Sequence, residues 1–109
     1  MTLKKTAKSK RASPPREFTR TREFKKDWQR LSHSGQYNMN ALKEAMLILI
    51  ENAAPFTAEW LDHPLTGSWT NHRECHIGGD FLLIYKLDGS GADERVVFVR
   101  AGTHAELFD

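Results

Sequence analysis

Apolar residues recur along this chain with two different periods. Phe24, Trp28 and Leu31 follow one another at intervals of four and three, while Arg22, Lys25, Lys26, Gln29 and Arg30 occupy the positions between and around them. That is the 3.6-residue period of a helix with one buried stripe, and Ser34-Gly35 ends it. A second helical pattern follows, with Asn38 or Asn40 as its cap, Leu42, Ala45, Met46, Leu49 and Ile50 as its buried set, and Pro55 closing it off. Between Phe56 and Asn71, residues Pro64, Gly67 and Ser68 predict an ordered loop whose Trp60, Leu65 and Trp69 pack back on the body. The period then becomes two. Arg73 to Ile77 (RECHI) reads as a short strand, Gly78-Gly79 as a hairpin turn, FLLIYKL from Phe81 as a largely buried strand, and RVVFVRAG from Arg95 as another. THAELFD ends the chain as one capped helical turn. Phe18, among alternating charged and polar residues, marks a further short strand.

The expected fold is therefore α+β, with two N-terminal helices packed on an antiparallel sheet of about four strands and a short C-terminal helical turn. The three C-terminal strands should form a meander, with the strand of Phe18 at an edge. Residues 1–15 are rich in Lys, Ser and Ala, contain Pro14 and Pro15, and hold only Met1 and Leu3 as large apolar groups. They are expected to be a disordered basic tail preceding one domain over 16–109, because so little apolar surface does not offset the entropy of ordering.

Length and composition remove several classes of function. A chain of 109 residues with 39% hydrophobic and 28% charged positions suits one compact domain, not a two-domain enzyme. The apolar run Ala45 to Ile50 is far shorter than the roughly 18 to 20 residues that span a bilayer, so no membrane partner is expected. The basic start of the chain has no apolar segment behind it and does not read as a secretory signal, which predicts a cytoplasmic protein. Cys75, the single cysteine, closes no internal disulfide and fits a reducing compartment.

The net charge of +2 conceals an asymmetry. Residues 1–30 hold eleven Lys or Arg against three acids, a balance of +8, and residues 31–109 hold five bases against eleven acids, a balance of −6, with all five histidines. A basic arm or helix beside an acidic body points to a polyanion such as RNA as the partner of the arm.

No phosphate-cradling G-x-x-x-x-G-K-[ST], no H-E-x-x-H, no G-x-S-x-G and no dinucleotide-binding glycine pattern is present. What remains is a set of polar residues at strand ends and loops in the C-terminal half: His63, His76, Asp80, Arg100 and His104. Imidazole both accepts and donates protons near neutral pH. A guanidinium holds phosphate and stabilises the added charge of its pentacoordinate transition state. RNA supplies its own nucleophile, the 2′-hydroxyl, so a site without metal needs only a base, an acid and a charge stabiliser. Each residue also has a plain structural reading: His63 as a turn residue, His76 on a hairpin rim, Asp80 and His104 as caps, and Arg100 in an intramolecular salt bridge to Asp80 or Glu74. Strict alternation puts Arg100 at the end of the stripe of Val96 and Phe98, where a charge wants a partner or a ligand. His63, His76, His104 and Asp80 are plausible zinc ligands, but their spread over forty positions of chain argues against a metal, and neither a metal nor another cofactor is expected. His33 reads as a histidine at a helix C-terminus.

The segments DHPLTGSWTNHRECHI, GGDFLLIYKL and VRAGTHAELF, in this order and spacing, resemble the YafQ branch of the RelE superfamily, the toxin components of bacterial type II toxin–antitoxin pairs; the resemblance covers about Thr19 to Phe108. It implies a small endoribonuclease that enters the A site of the 70S ribosome, cuts the mRNA there, and is silenced by a cognate antitoxin that is small, acidic and DNA-binding. On this resemblance His63, His76, Asp80 and His104 are acid–base candidates, Arg100 contacts the phosphate or transition state, and Phe108 belongs to the substrate surface. Phe81 stands where tryptophan is expected in close relatives, which keeps base stacking and removes an indole donor. Arg22, Lys25, Lys26 and Arg30, with the tail, are expected to supply the attraction to RNA that a body of −6 lacks.

Two expectations concern geometry and alternatives. A strict turn at Gly78-Gly79 would place His76 and Asp80 on opposite faces; either the loop is wider or Asp80 lies in the turn and curls toward the histidines, and the wider loop is predicted. Two functional alternatives share the fold: a non-catalytic toxin that binds another target such as DNA gyrase, and a regulatory module that binds nucleic acid or antitoxin.

Overall fold

The structure, a computed structural model, describes residues 14–108. The tail expected over 1–15 lies outside these residues except for Pro14 and Pro15. Pro14 O accepts a hydrogen bond from Asn52 Nδ2 at 2.9 Å.

The chain is α+β. Strand β1 (Glu17–Arg20) leads into helix α1 (Arg22–Ser34) and helix α2 (Met39–Glu51). After an irregular stretch with two 3₁₀ turns come β2 (His63–Pro64), β3 (Arg73–Gly78), β4 (Phe81–Asp88), β5 (Arg95–Gly102) and helix α3 (His104–Phe108). The sheet has five strands in the order β1-β5-β4-β3-β2. β3 to β5 pair antiparallel, as the expected meander does, β2 adds antiparallel to β3 from within the stretch expected as a loop, and β1 pairs parallel to β5, which makes the sheet mixed. An exposed four-residue strand carries no signal of direction in its sequence, and the strand β2 is too short to show a period.

The helices start and stop where local chemistry dictates. Thr21 Oγ1 accepts from Phe24 N at 3.0 Å and caps α1, and Gly35 ends it at φ +70°. Asn38 Oδ1 accepts from Ala41 N at 3.0 Å, which decides the cap of α2 between the two asparagines. Asn52, left-handed at φ 55°, ends α2 before Pro55 is reached.

Two apolar layers lie on either side of the sheet. Phe24 and Leu31 of α1 and Leu42, Ala45 and Leu49 of α2 bury against Cys75, Leu83, Tyr85, Val96, Phe98 and Ala101. On the other side Leu82 and Ile84 meet Leu107 of α3, with Leu65, Trp69 and Val99. β4 is covered on both faces, which is why FLLIYKL reads as an unbroken apolar run.

A bulge in β5 resets its alternation. Phe98 pairs with Tyr85 and Arg100 with Ile84, leaving Val99 unpaired. Beyond the bulge Ala101 joins Val96 and Phe98 in the helix-side layer, and Arg100 is in register with Ile84 of the opposite layer. The strict alternation that put Arg100 in line with Val96 and Phe98 fails at this one residue. α1 also completes the edge of β5 beyond the reach of β1. Thr21 N donates to Phe98 O at 3.0 Å, Thr21 Oγ1 donates to Val99 O at 2.7 Å, and Asp27 Oδ2 accepts from Ala101 N at 3.0 Å.

Candidate active site

The face of the sheet turned away from α1 and α2 collects the polar residues. Register aligns His63 with Glu74, Glu74 with Ile84, and Ile84 with Arg100, while His76 is aligned with Leu82. Paired residues of antiparallel strands project to the same side, so His63, Glu74, His76 and Arg100 share one face.

The β3–β4 hairpin decides where Asp80 goes. Gly78 pairs with Phe81 and the register shifts between His76 and Gly78, so the turn is Gly79-Asp80, two residues long and one position later than the dipeptide Gly78-Gly79 suggested. Gly79 has φ +54°, a conformation that a side chain there would strain. The wider loop does not form. Asp80 instead lies in the turn and reaches α3, where its Oδ1 accepts from His104 Nδ1 at 2.6 Å and from His104 N at 3.2 Å. The hydrogen bond from the His104 ring is the main reason that the exposed Asp80 carboxyl lies below the ordinary carboxylate range.

Three imidazoles stand in a row. The ring of His76 is 6.2 Å from that of His63 and 6.2 Å from that of His104. Beneath them Glu74, 3% exposed, has its Oε2 at 3.1 Å from His63 Nε2, a hydrogen bond, and at 3.3 Å from His76 Nε2, an ion-pair distance. His63 Nδ1 lies 3.1 Å from Pro64 O. Both neighbours of His63 are acceptors, so both contacts are hydrogen bonds only when the ring is an imidazolium. His104 differs: its Nδ1–H is committed to Asp80, which leaves Nε2 as the nitrogen able to exchange a proton.

The aromatic surface continues from His104. Its ring is 5.7 Å from Phe108, which is 5.9 Å from Trp69, which is in turn 5.3 Å from His72. Phe108 is 38% exposed and Trp69 half-buried. Phe81 does not belong to this surface. It is 5% exposed and packs in the helix-side layer, 5.0 Å from the ring of Tyr37. Base stacking by Phe81 is therefore corrected: the turn at Gly79-Asp80 faces it into the core, and Trp69 with Phe108 supplies the accessible aromatic edges.

Arg100 has a salt-bridge partner that is neither Asp80 nor Glu74. Its Nε and Nη2 donate to Asp27 at 2.7 and 3.1 Å. Two strand spacings, about 10 Å, separate its Cα from that of Glu74. Burial alone would raise the Asp27 carboxyl, but hydrogen bonds from Arg100, Arg30 and Ala101 N outweigh it and hold the group below the ordinary carboxylate range. The bond to Asp27 raises Arg100 further above its already high value. Of the basic face of α1, Arg22, Lys25 and Lys26 are exposed, while Arg30 donates to Asp27 at 2.9 Å and to Glu106 at 3.3 Å. Arg30, although exposed, is thus also tied to two carboxylates of the fold.

Glu74, Trp69 and Asp27 do not stand out as functional residues in the sequence. Glu74 is two residues before His76, the spacing that places both on one face of a strand, and this is the signal available for it. With His63 these two form a set whose ligand atoms all lie within 4.8 Å of one another. Two imidazoles and a carboxylate are a donor set that suits a divalent metal with an open side. Separation along the chain hides this set, because β2 folds back onto β3. Cys75 takes no part: burial foremost pushes its thiol far above the ordinary range. No helix among the described residues is long and apolar enough to cross a membrane.

Comparison with known proteins converges on one family. Residues 16–109 match the family model described as "Bacterial toxin of type II toxin-antitoxin system, YafQ". The mRNA interferase toxin YafQ of Escherichia coli strain K12 is 42% identical, over 72% of this chain and 94% of its own length. A crystal structure of YafQ from E. coli strain BL21(DE3) superposes with a TM-score of 0.76 at 38% identity, covering 86% of this chain and 99% of that one. The E. coli DinJ–YafQ complex gives 0.74 at 39% identity, with 86% and 99% covered. A metal-bound toxin from Helicobacter pylori gives 0.72 at 29%, with 84% and 98% covered. With the family match running from Arg16 over the whole described sheet, its helices and its histidine row, this chain belongs to the YafQ family of toxins from type II toxin–antitoxin systems.

Proposed function

We propose that this protein is a ribosome-dependent mRNA endoribonuclease that cleaves mRNA in the ribosomal A site by acid–base catalysis without a metal, and so inhibits translation in the cytoplasm. The observation that carries this reading is the row of His63, His76 and His104, with two carboxylates behind it and Arg100 on the same face. In the proposed reaction one imidazole takes the proton of the 2′-hydroxyl, whose oxygen attacks the adjacent phosphorus. A second imidazole donates a proton to the departing 5′-oxygen, and a 2′,3′-cyclic phosphate is left. His104, with Nδ1 anchored on Asp80 and Nε2 free, is suited to one of these roles, and His76, whose Nδ1 contacts no described residue, to the other. Arg100 stabilises the charge on the phosphorane oxygens. Phe108 and Trp69 hold the flanking bases by stacking.

The relatives named mRNA interferase toxin support this activity, and the complex of E. coli YafQ with DinJ supports a cognate antitoxin as partner. For this chain the antitoxin is expected to be small, acidic and DNA-binding, and to cover the site or displace α3.

A second reading, that His63, Glu74 and His76 hold a divalent metal, is favoured by their mutual distances and by the metal-bound toxin of H. pylori. Such an ion would polarise a phosphate oxygen. Mapping mRNA ends in a translation reaction separates the readings. Cuts that persist in EDTA and fall about 10²- to 10⁴-fold in His104→Ala and in Arg100→Ala fit the metal-free nuclease. Sensitivity to EDTA supports the metal, and full activity in both variants leaves the non-catalytic toxin.

A further inference from the structure

Asp27 is a charge on the wrong side of its helix. It lies three residues after Phe24 and four before Leu31, inside the apolar stripe of α1, and is 2% exposed. Its oxygens accept four hydrogen bonds: Oδ2 from Arg100 Nε and Ala101 N, and Oδ1 from Arg100 Nη2 and Arg30 Nη1. That fills the accepting capacity of a carboxylate. A buried ion pair is a poor source of stability compared with apolar packing of the same volume, so its presence in the core calls for another reason.

The pairing leaves a specific part of Arg100 free. Nε and Nη2 face Asp27, while Nη1 donates to no described residue and the side chain keeps 26% of its surface exposed. Unrestrained, a long guanidinium side chain on an open face would sample many rotamers, and the planar fork clamped along one edge samples few. Arg30, on the other side of the carboxylate, continues to Glu106, whose Oε1 also accepts from Thr103 N at 2.9 Å at the start of the helix that carries His104 and Phe108.

We propose that Asp27 is a positioning residue for RNA cleavage: it clamps one edge of Arg100 so that the free Nη1 edge meets the scissile phosphate, and through Arg30 and Glu106 it sets that edge relative to His104. The proposal rests on the reading of Arg100 as the phosphate contact. A clamp set before substrate arrives acts mainly in the transition state, where the phosphate gains charge, so its removal lowers kcat more than it raises KM.

The test is a double-variant cycle on cleavage of mRNA on translating ribosomes, with circular dichroism and urea unfolding of each protein. Asp27→Asn is expected to lower kcat about 10- to 10²-fold with KM within about twofold. Asp27→Glu recovers part of that loss, and Asp27→Asn has no further effect once Arg100 is replaced by alanine. The NMR signal of Arg100 Nε–H, shifted by its charged partner, returns in Asp27→Asn to the position of a solvated arginine. A folded Asp27→Asn with the parent's kcat overturns the proposal, as does a loss of equal size with and without Arg100, which marks a structural effect. An inactive Arg100→Ala beside a fully active Asp27→Asn refutes the clamp alone, whereas a fully active Arg100→Ala refutes the reading of Arg100 itself. If Asp27→Asn does not fold, the cycle is run with Asp27→Glu: a kcat loss that vanishes without Arg100 supports the clamp, and an unchanged kcat overturns it.

Discussion

Phe108 and Phe81 carry the same side chain and differ in which layer receives it. Phe108 is on α3 beside Trp69 and His104, open to solvent, whereas Phe81 follows a two-residue turn and is packed on Tyr37. Their alanine variants should fail in opposite ways. Phe81→Ala leaves a cavity and is expected to cost about 3–5 kcal/mol in urea unfolding with KM unchanged. Phe108→Ala is expected to keep the unfolding midpoint nearly intact and to raise KM by the equivalent of about 1–3 kcal/mol of stacking, whereas Trp69→Ala, which also removes packing on Leu82 and Ile84, should lower the midpoint as well as raise KM. A raised KM in Phe81→Ala at full stability would return that residue to the substrate surface. The candidate histidines are legible because imidazole between turn and strand signals is chemistry-bearing wherever it falls. Glu74 is harder to read, since one acid next to Arg73 looks like a surface ion pair until β2 lays His63 against it. Asp27 is legible in principle from its place between Phe24 and Leu31, but spacing alone does not say which strand supplies its partner.

At the scale of elements, the sequence announces what repeats and hides what interrupts. The two helices and the run FLLIYKL follow from period and composition. The bulge at Val99 does not, because RVVFVRAG alternates without a break and no residue marks the slip. It nevertheless turns Arg100 onto the histidine face and Ala101 into the core. The junction that results joins α1, β5 and α3 through one carboxylate, and its pH dependence has a definite sign. Asp27 is held below the ordinary carboxylate range when folded. Its contribution to stability is therefore fully present above the unfolded value of about 4 and is lost as pH falls through the lower folded value. Urea midpoints followed from pH 6 to pH 2.5 should fall more steeply for the parent protein than for Asp27→Asn; parallel curves would show that the carboxylate is not linked to folding. α3 has only five residues and depends on its reciprocal cap, in which Glu106 N donates to Thr103 Oγ1 at 3.3 Å and Thr103 N to Glu106 Oε1 at 2.9 Å. Thr103→Ala should cost about 1 kcal/mol, speed amide exchange across His104–Phe108, and lower cleavage with it.

Over the whole molecule the basic charge is divided between groups that hold the fold together and groups left for a partner. Arg16 is bound to Glu94 and to Leu49 O, Arg30 to Asp27 and Glu106, Arg73 to Asp62, and Arg100 to Asp27. What remains near α1 is Arg20, Arg22, Lys25 and Lys26, all exposed, and ahead of the described residues the sequence adds Lys4, Lys5, Lys8, Lys10 and Arg11. Residues 31–109 carry a balance of −6, so their long-range field opposes RNA, and on the proposed reading these basic positions overcome it. Each phosphate that a basic side chain neutralises steepens the fall of log K with log salt by about 0.7 to 0.9. Deleting residues 1–13 keeps Pro14, whose carbonyl receives Asn52, and should therefore leave unfolding unchanged. It should weaken ribosome association at low salt and flatten the salt slope by about 0.7 to 0.9 for every phosphate that the tail neutralises, while Lys25→Glu with Lys26→Glu should flatten it further in the same measurement. Association with an unaltered slope after the deletion would mean that the tail carries charge but touches no phosphate, and that, on the proposed reading, the face of α1 alone brings the protein to RNA.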